Sequence, residues 1–134
     1  CVEGTEESET IDELQRLGFS DLFTVLRKNT ISSSVKTGLE AWLDEHPEVN
    51  TFIIVGVCTD ICVYQAAIHF RARVNALGQE EARIIVPANA VQTFDTPVEV
   101  DEEIGAMPHD GDLLHRIFLY HMALNGVDVV SSIV

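Results

Sequence analysis

Basic residues are scarce in this sequence: 8 Lys and Arg stand against 22 Asp and Glu, for a formal net charge of −14. The few cations are scattered, whereas a surface that grips phosphate needs them concentrated. Nucleic acid and anionic membrane are therefore not expected partners. Long apolar runs are lacking as well. The longest, within 52–57, falls far short of the roughly 20 residues that a membrane-spanning helix requires. No basic segment leads into an apolar stretch near the start, so no secretory leader is expected there. Cysteine is rare; three in 134 residues is too few, and an odd number, for a disulfide framework, and fits a reducing, cytoplasmic setting.

What is present reads as one soluble domain over 1–134. The composition is 46% hydrophobic, enough for a real core, and no repeat, low-complexity tract or linker divides the chain. Its first residue is cysteine, and the acidic opening "CVEGTEESET" has the character of a mid-loop. The expectation is a processed chain, or the carboxyl-terminal part of a longer domain.

Helical and strand periodicities alternate. Residues 10–17 place Ile11, Leu14 and Leu17 at helical spacing, with Gly18 to stop them. Residues 22–26 read as a short strand, and 37–46 as a helix with Leu39, Trp42 and Leu43 on one face, ending before Pro47. "TFIIVGV" at 51–57 is a continuous apolar run, the pattern of a parallel strand buried on both faces. A helix is expected over 61–77, with Ala66, Ala67, Phe70 and Val74 inward, and a strand over 82–86. Residues 112–124 follow as a helix with Leu113, Ile117 and Leu124 inward, then a last strand over 127–134. This alternation predicts an α/β fold, a doubly wound parallel sheet with helices on both faces. Ligands in such folds sit beyond the carboxyl ends of the strands.

"GVCTDICV", residues 56–63, lies at one of those ends. Thr59 or Asp60 is placed to cap the following helix, which leaves Cys62 in its first turn. Free amides and the positive end of the helix dipole favour an anion there, and a thiolate is one. The same amides can donate to an oxyanion formed when sulfur attacks a carbonyl carbon. Position alone leaves a second reading equally open, in which Cys58 and Cys62 are small buried hydrophobes. They are not a C-x-x-C pair, and no further pair completes a zinc site.

"IIVGVCTDICVYQAA" resembles the nucleophile segment of the isochorismatase-like cysteine hydrolases, nicotinamidases above all. The resemblance extends over nearly the whole chain. "CVEGTEES" is similar to the stretch after a metal-binding histidine; "VLRKNTISSSVKTGLEAWL", "ANAVQTFDTP" and "LLHRIFLYHMA" are similar to later family segments. It implies an isochorismatase-like three-layer sheet that lacks its amino-terminal strand and part of its metal site. It also implies that Cys62 is the nucleophile and Lys28 the catalytic lysine beside it. The backbone N–H groups of Cys58 and Cys62 would form an oxyanion hole after a cis peptide between Val57 and Cys58. Ile31 and Ser34 would line the substrate pocket, where the family carries aromatics.

The implied activity is hydrolysis of a small carboxamide, nicotinamide to nicotinate and ammonia, through a thioester on Cys62. The general-base aspartate and the ligands of a divalent metal, zinc in the first instance, would precede Cys1. Association into homo-oligomers, or with the missing amino-terminal segment, is implied in the same way. The departures "ISSS" and the absent aspartate keep other readings in play: a hydrolase of another small amide or ureido compound, a catalytically silent binding or assembly module, or a thiol redox protein using Cys58 and Cys62. His69, His109, His115 and His121 are expected to face solvent or bond within the core, Ser32–Ser34 to cap a helix, and the acidic run "VEVDEEIG" to face solvent.

Overall fold

The structure is a computed structural model that describes residues 2–133. Its helices are α1 (Asp12–Gln15), α2 (Leu39–Glu45), α3 (Tyr64–Ala76), α4 (Val98–Ile104) and α5 (Gly111–Leu124). Its strands are β1 (Thr51–Ile53), β2 (Gly56–Val57), β3 (Arg83–Pro87), β4 (Val91–Gln92) and β5 (Asp128–Val130). β1, β3 and β5 form one parallel sheet in that order, and β2 pairs with β4, also in parallel. This is the parallel α/β architecture that the alternating periodicities predict.

The core forms where apolar stripes of α3 and α5 meet one face of the sheet. Val63, Ala67 and Val74 from the α3 side join Ile84 and Val86 of β3, Met122 of α5 and Val127, with Phe52, Ile54, Phe70 and Leu119 packed against them. The spacing 63, 67, 70, 74 is that of one helical face. Burial of Ile84, Val86 and Met122 is essentially complete, at 0–1% exposure.

Four elements differ from the sequence reading. The apolar run 51–57 is not one strand buried on both faces. It breaks into β1 and β2, and Ile53, Val55 and Val57 are all at least half exposed. The bend falls at Gly56, whose φ of +118° lies in a region that glycine alone adopts freely. Residues 22–26 pair with no strand among the described residues; a 3-10 turn (Ser20–Leu22) and extended chain take their place, with Leu22, Phe23 and Val25 exposed. The helix expected over 10–17 shrinks to Asp12–Gln15, because Ile11 and Leu14 find nothing to pack against and a short helix is not sustained by propensity alone.

In α5 the inward face is not that of Leu113, Ile117 and Leu124, which are exposed. Met122 and Leu119 face the core instead, and Phe118 sits edge-on to Tyr64 with ring centres 4.9 Å apart. The helix carries two apolar stripes, and contact with α3 selects between them.

Candidate active site

Val57 pairs with Gln92, so the segments that follow β2 and β4 leave the sheet side by side. The first enters a π-helical turn, Thr59–Val63, that runs directly into α3. The Cys58 carbonyl accepts from the N–H groups of both Ile61 and Val63, the second being the wide i to i+5 bond of a π turn. Such turns recur at functional sites because they reorient one side chain within an otherwise regular helix. The peptide between Val57 and Cys58 is cis.

Cys62 projects from this turn, partly buried. Lys28 reaches it from the extended chain after the Ser20–Leu22 turn. Its Nζ lies 3.6 Å from Cys62 Sγ and donates to the Thr30 carbonyl at 2.9 Å. A cation and a thiol 34 residues apart in sequence therefore meet at the carboxyl end of a parallel strand. Cys58 and Cys62 are both free thiols. Ile31 is 53% exposed, and Ser34 bonds to Ser32 through their hydroxyls at 3.0 Å; neither makes a hydrogen bond to Lys28 or Cys62.

Thr59 and Asp60 do not cap the turn. Thr59, fully buried, shares a hydrogen bond of 2.9 Å with His115 Nδ1 on α5. The Asp60 carboxylate accepts from Thr93 Oγ1 at 2.5 Å and from His109 Nε2 at 2.8 Å. Both side chains serve tertiary contacts, each ending on a histidine near the start of α5. Burial works against a charged Asp60, but the hydrogen bonds from Thr93 and His109 outweigh it and hold the carboxyl below its usual range. For His109 burial likewise opposes the charge, and the Asp60 bond and charge outweigh it, so the imidazole is raised above its usual value.

Asp101, inside the acidic run expected to face solvent, is 3% exposed and accepts from the His109 N–H at 3.3 Å. The serine hydroxyls of 32–34 do not cap α2; Thr37 Oγ1 accepts from the Leu39 N–H at 3.3 Å instead. His69 bonds Glu40, and Arg73 bridges Glu40 and Asp44, tying α3 to α2. His121 shares a bond of 3.2 Å with the Tyr64 hydroxyl. Among the described residues no three His, Cys, Asp or Glu side chains gather closely enough to hold a metal ion, so those residues do not themselves fit a metal site. Cys1, beside which a ligand is expected, lies outside the described residues. A hollow of about 410 Å³ lined by Thr93, Asp95, Asp110 and Gly111 adjoins the Asp60 network but does not include Cys62.

A thiol on a turn at the strand end, facing an amine, defines a class of α/β proteins with a cysteine at the switch from strand to helix. Residues 1–131 match the model of the isochorismatase domain. Nicotinamidase 1 of Arabidopsis thaliana is 33% identical over 99% of this chain and 58% of its own length. The nicotinamidase of Staphylococcus aureus is 28% identical, covering 81% of this chain and 53% of that one, with a TM-score of 0.57. At 16% identity, a yeast nicotinamidase bound to the inhibitor nicotinaldehyde shares the fold, covering 98% of this chain and 56% of its own with a TM-score of 0.71. The chain belongs to the isochorismatase domain family. It spans somewhat under three fifths of the curated relative it matches. No described helix is long and apolar enough to cross a membrane.

Proposed function

We propose that the intact protein is a cysteine-dependent amidohydrolase of the nicotinamidase type, with Cys62 as nucleophile. The observation that carries this reading is the Lys28 ammonium 3.6 Å from the Cys62 sulfur, at the end of a parallel strand in a chain of this family. An ammonium at that distance is a counter-ion for a thiolate, the form of cysteine that attacks carbonyl carbon.

Sulfur adds to the carboxamide carbon, and the negative charge that moves to oxygen is received by the backbone N–H groups of Cys58 and Cys62. Collapse of this adduct breaks the C–N bond. The proton taken from the thiol goes to nitrogen, and ammonia leaves. Water then adds to the thioester, the C–S bond breaks, and the carboxylic acid departs with the thiolate restored. The proton carrier in both halves would be the general-base aspartate that the family resemblance implies. Ile31 and Ser34 bound the substrate side and would favour a ring with less aromatic packing than the family's usual pocket gives.

The experiment is ammonia release from nicotinamide by the intact protein and by Cys62→Ala. Release from the first alone supports the reading, and equal release from both removes Cys62 from the chemistry. A silent binding module is the second reading, favoured by one observation: among the described residues, no carboxylate bonds to Lys28 or Cys62. Hydrolysis by the intact protein would dismiss it.

A further inference from the structure

We propose that Asp60 and His109 form a positioning pair for the Cys62 site, in which one carboxylate on the nucleophile turn holds both ends of the segment 94–108. The claim about catalysis rests on the function proposed above; the claim about the segment does not.

The segment leaves β4 at Thr93 and returns at His109, and both residues bond the same carboxylate, Thr93 to Oδ1 and His109 to Oδ2. Asp60 is two residues before Cys62 and its side chain is 7% exposed. Between the two anchors only Asp101 is buried; Ile104 and Met107 are exposed at 69% and 86%. Apolar packing therefore does little to hold this excursion, and polar ties do most of it.

His109 is where those ties converge. Its Nδ1 lies 2.9 Å from the Phe94 carbonyl, its N–H donates to Asp101, and its carbonyl accepts from the Thr96 N–H at 3.1 Å. Its ring stacks on Phe94 with centres 3.8 Å apart and planes 13° from parallel. Nδ1 faces a carbonyl and Nε2 a carboxylate, and neither of those partners can donate. A neutral imidazole has one N–H, so only the doubly protonated ring satisfies both contacts. Loss of that proton breaks one tie and weakens the hold on 94–108.

The charges around His109 agree in sign. Asp60 faces it from the nucleophile turn and Asp101 from α4, while Asp95 and Asp110 flank it in the adjoining loops and are engaged with the Gly111 and Leu113 N–H groups. The neighbouring histidine on α5, His115, is turned to Thr59. The raised imidazole and lowered carboxyl described above follow from the same geometry.

The test is amide hydrogen exchange over 94–108 in the intact protein, corrected for intrinsic rates, beside nicotinamide kinetics for wild type, His109→Gln and Asp60→Asn. At about pH 6 the wild-type segment is expected to exchange at least roughly tenfold more slowly than His109→Gln, and the gap is expected to close by about pH 9. kcat/KM of His109→Gln is expected to fall at least about tenfold at the lower pH, with most of the loss in kcat. Equal, pH-independent exchange in wild type and variant would overturn the pair as an anchor. Faster exchange with unchanged kcat/KM would overturn its positioning role. The wild-type pH series decides the anchor even should Asp60→Asn fail to fold. A wild type that hydrolyses no amide at all would sink the proposed function while the exchange data still judge the anchor.

Discussion

Replacing Lys28 with Met removes the ammonium and keeps the aliphatic stem, so it isolates the charge that faces Cys62. Two unit charges about 4 Å apart interact by roughly 1 kcal/mol in water and roughly 4 kcal/mol at the effective dielectric of a protein surface. Lys28 is exposed, which places the pair towards the wet limit. The expected loss of interaction is about 1–2 kcal/mol, or roughly a five- to thirtyfold slower alkylation of Cys62. Iodoacetamide, with the label followed on the Cys62 peptide so that Cys58 does not contribute, reads that rate directly. Lys28→Arg keeps a charge and is expected to stay within a few-fold of wild type. Salt at about 1 M shortens the screening length to about 3 Å and should narrow the difference between wild type and Lys28→Met. Equal alkylation of the two at low salt would refute the electrostatic reasoning.

Three further outcomes follow from packing and charge. A Cβ on Gly111 would lie 2.6 Å from the Phe94 carbonyl oxygen and 3.2 Å from Asp95 Cβ, so Gly111→Ala is expected to cost about 1–3 kcal/mol, read as a fall in the thermal midpoint. Met122, fully buried between α3 and the sheet, should lose about 2–5 kcal/mol on truncation to Ala, measured by urea unfolding. The Asp60–His109 pair sets a pH window with two edges. Asp60 is lowered in the fold, so its contribution holds above the unfolded value of about 3.9 and is lost as pH falls through the folded one. His109 is raised, so its contribution is complete below about 6.5 and is lost as pH rises through the folded value. Wild type should thus show a falling stability limb at alkaline pH that His109→Gln lacks, and a limb of equal slope in both would contradict the assignment.

The strand-to-helix segment around Cys62 was legible because two different periodicities meet there. Phe52 and Ile54 of the apolar run 51–57 and the stripe through Ala67, Phe70 and Val74 point inward, so the turn between them had to lie at a sheet end. The proximity of Lys28 and Cys62 came from family resemblance; nothing in spacing alone brings two residues 34 apart together.

What stayed hidden has physical causes. Gly56 could be read as part of a strand, since a positive φ leaves no mark in a hydrophobic pattern. The face of α5 was ambiguous because 113, 117, 124 and 115, 119, 122 are both helical stripes, and only contact with Tyr64 and Thr59 chooses. Thr59 and Asp60 are good caps by residue type, yet their oxygens are claimed by His115 and His109 from 56 and 49 residues away. The one signal for the latter was an Asp just after the strand expected over 51–57 and a His just before the helix expected over 112–124. Long-range polar pairs carry no period, so pattern reading passes over them.

The most direct measurement of the central claim is peptide mass spectrometry of the intact protein, rapidly acid-quenched during turnover of nicotinamide. A nicotinoyl group on the sulfur of Cys62, absent from Cys58 and from the Cys62→Ser variant, is the result predicted here. Sustained ammonia release with Cys62 unmodified at every quench time would contradict it.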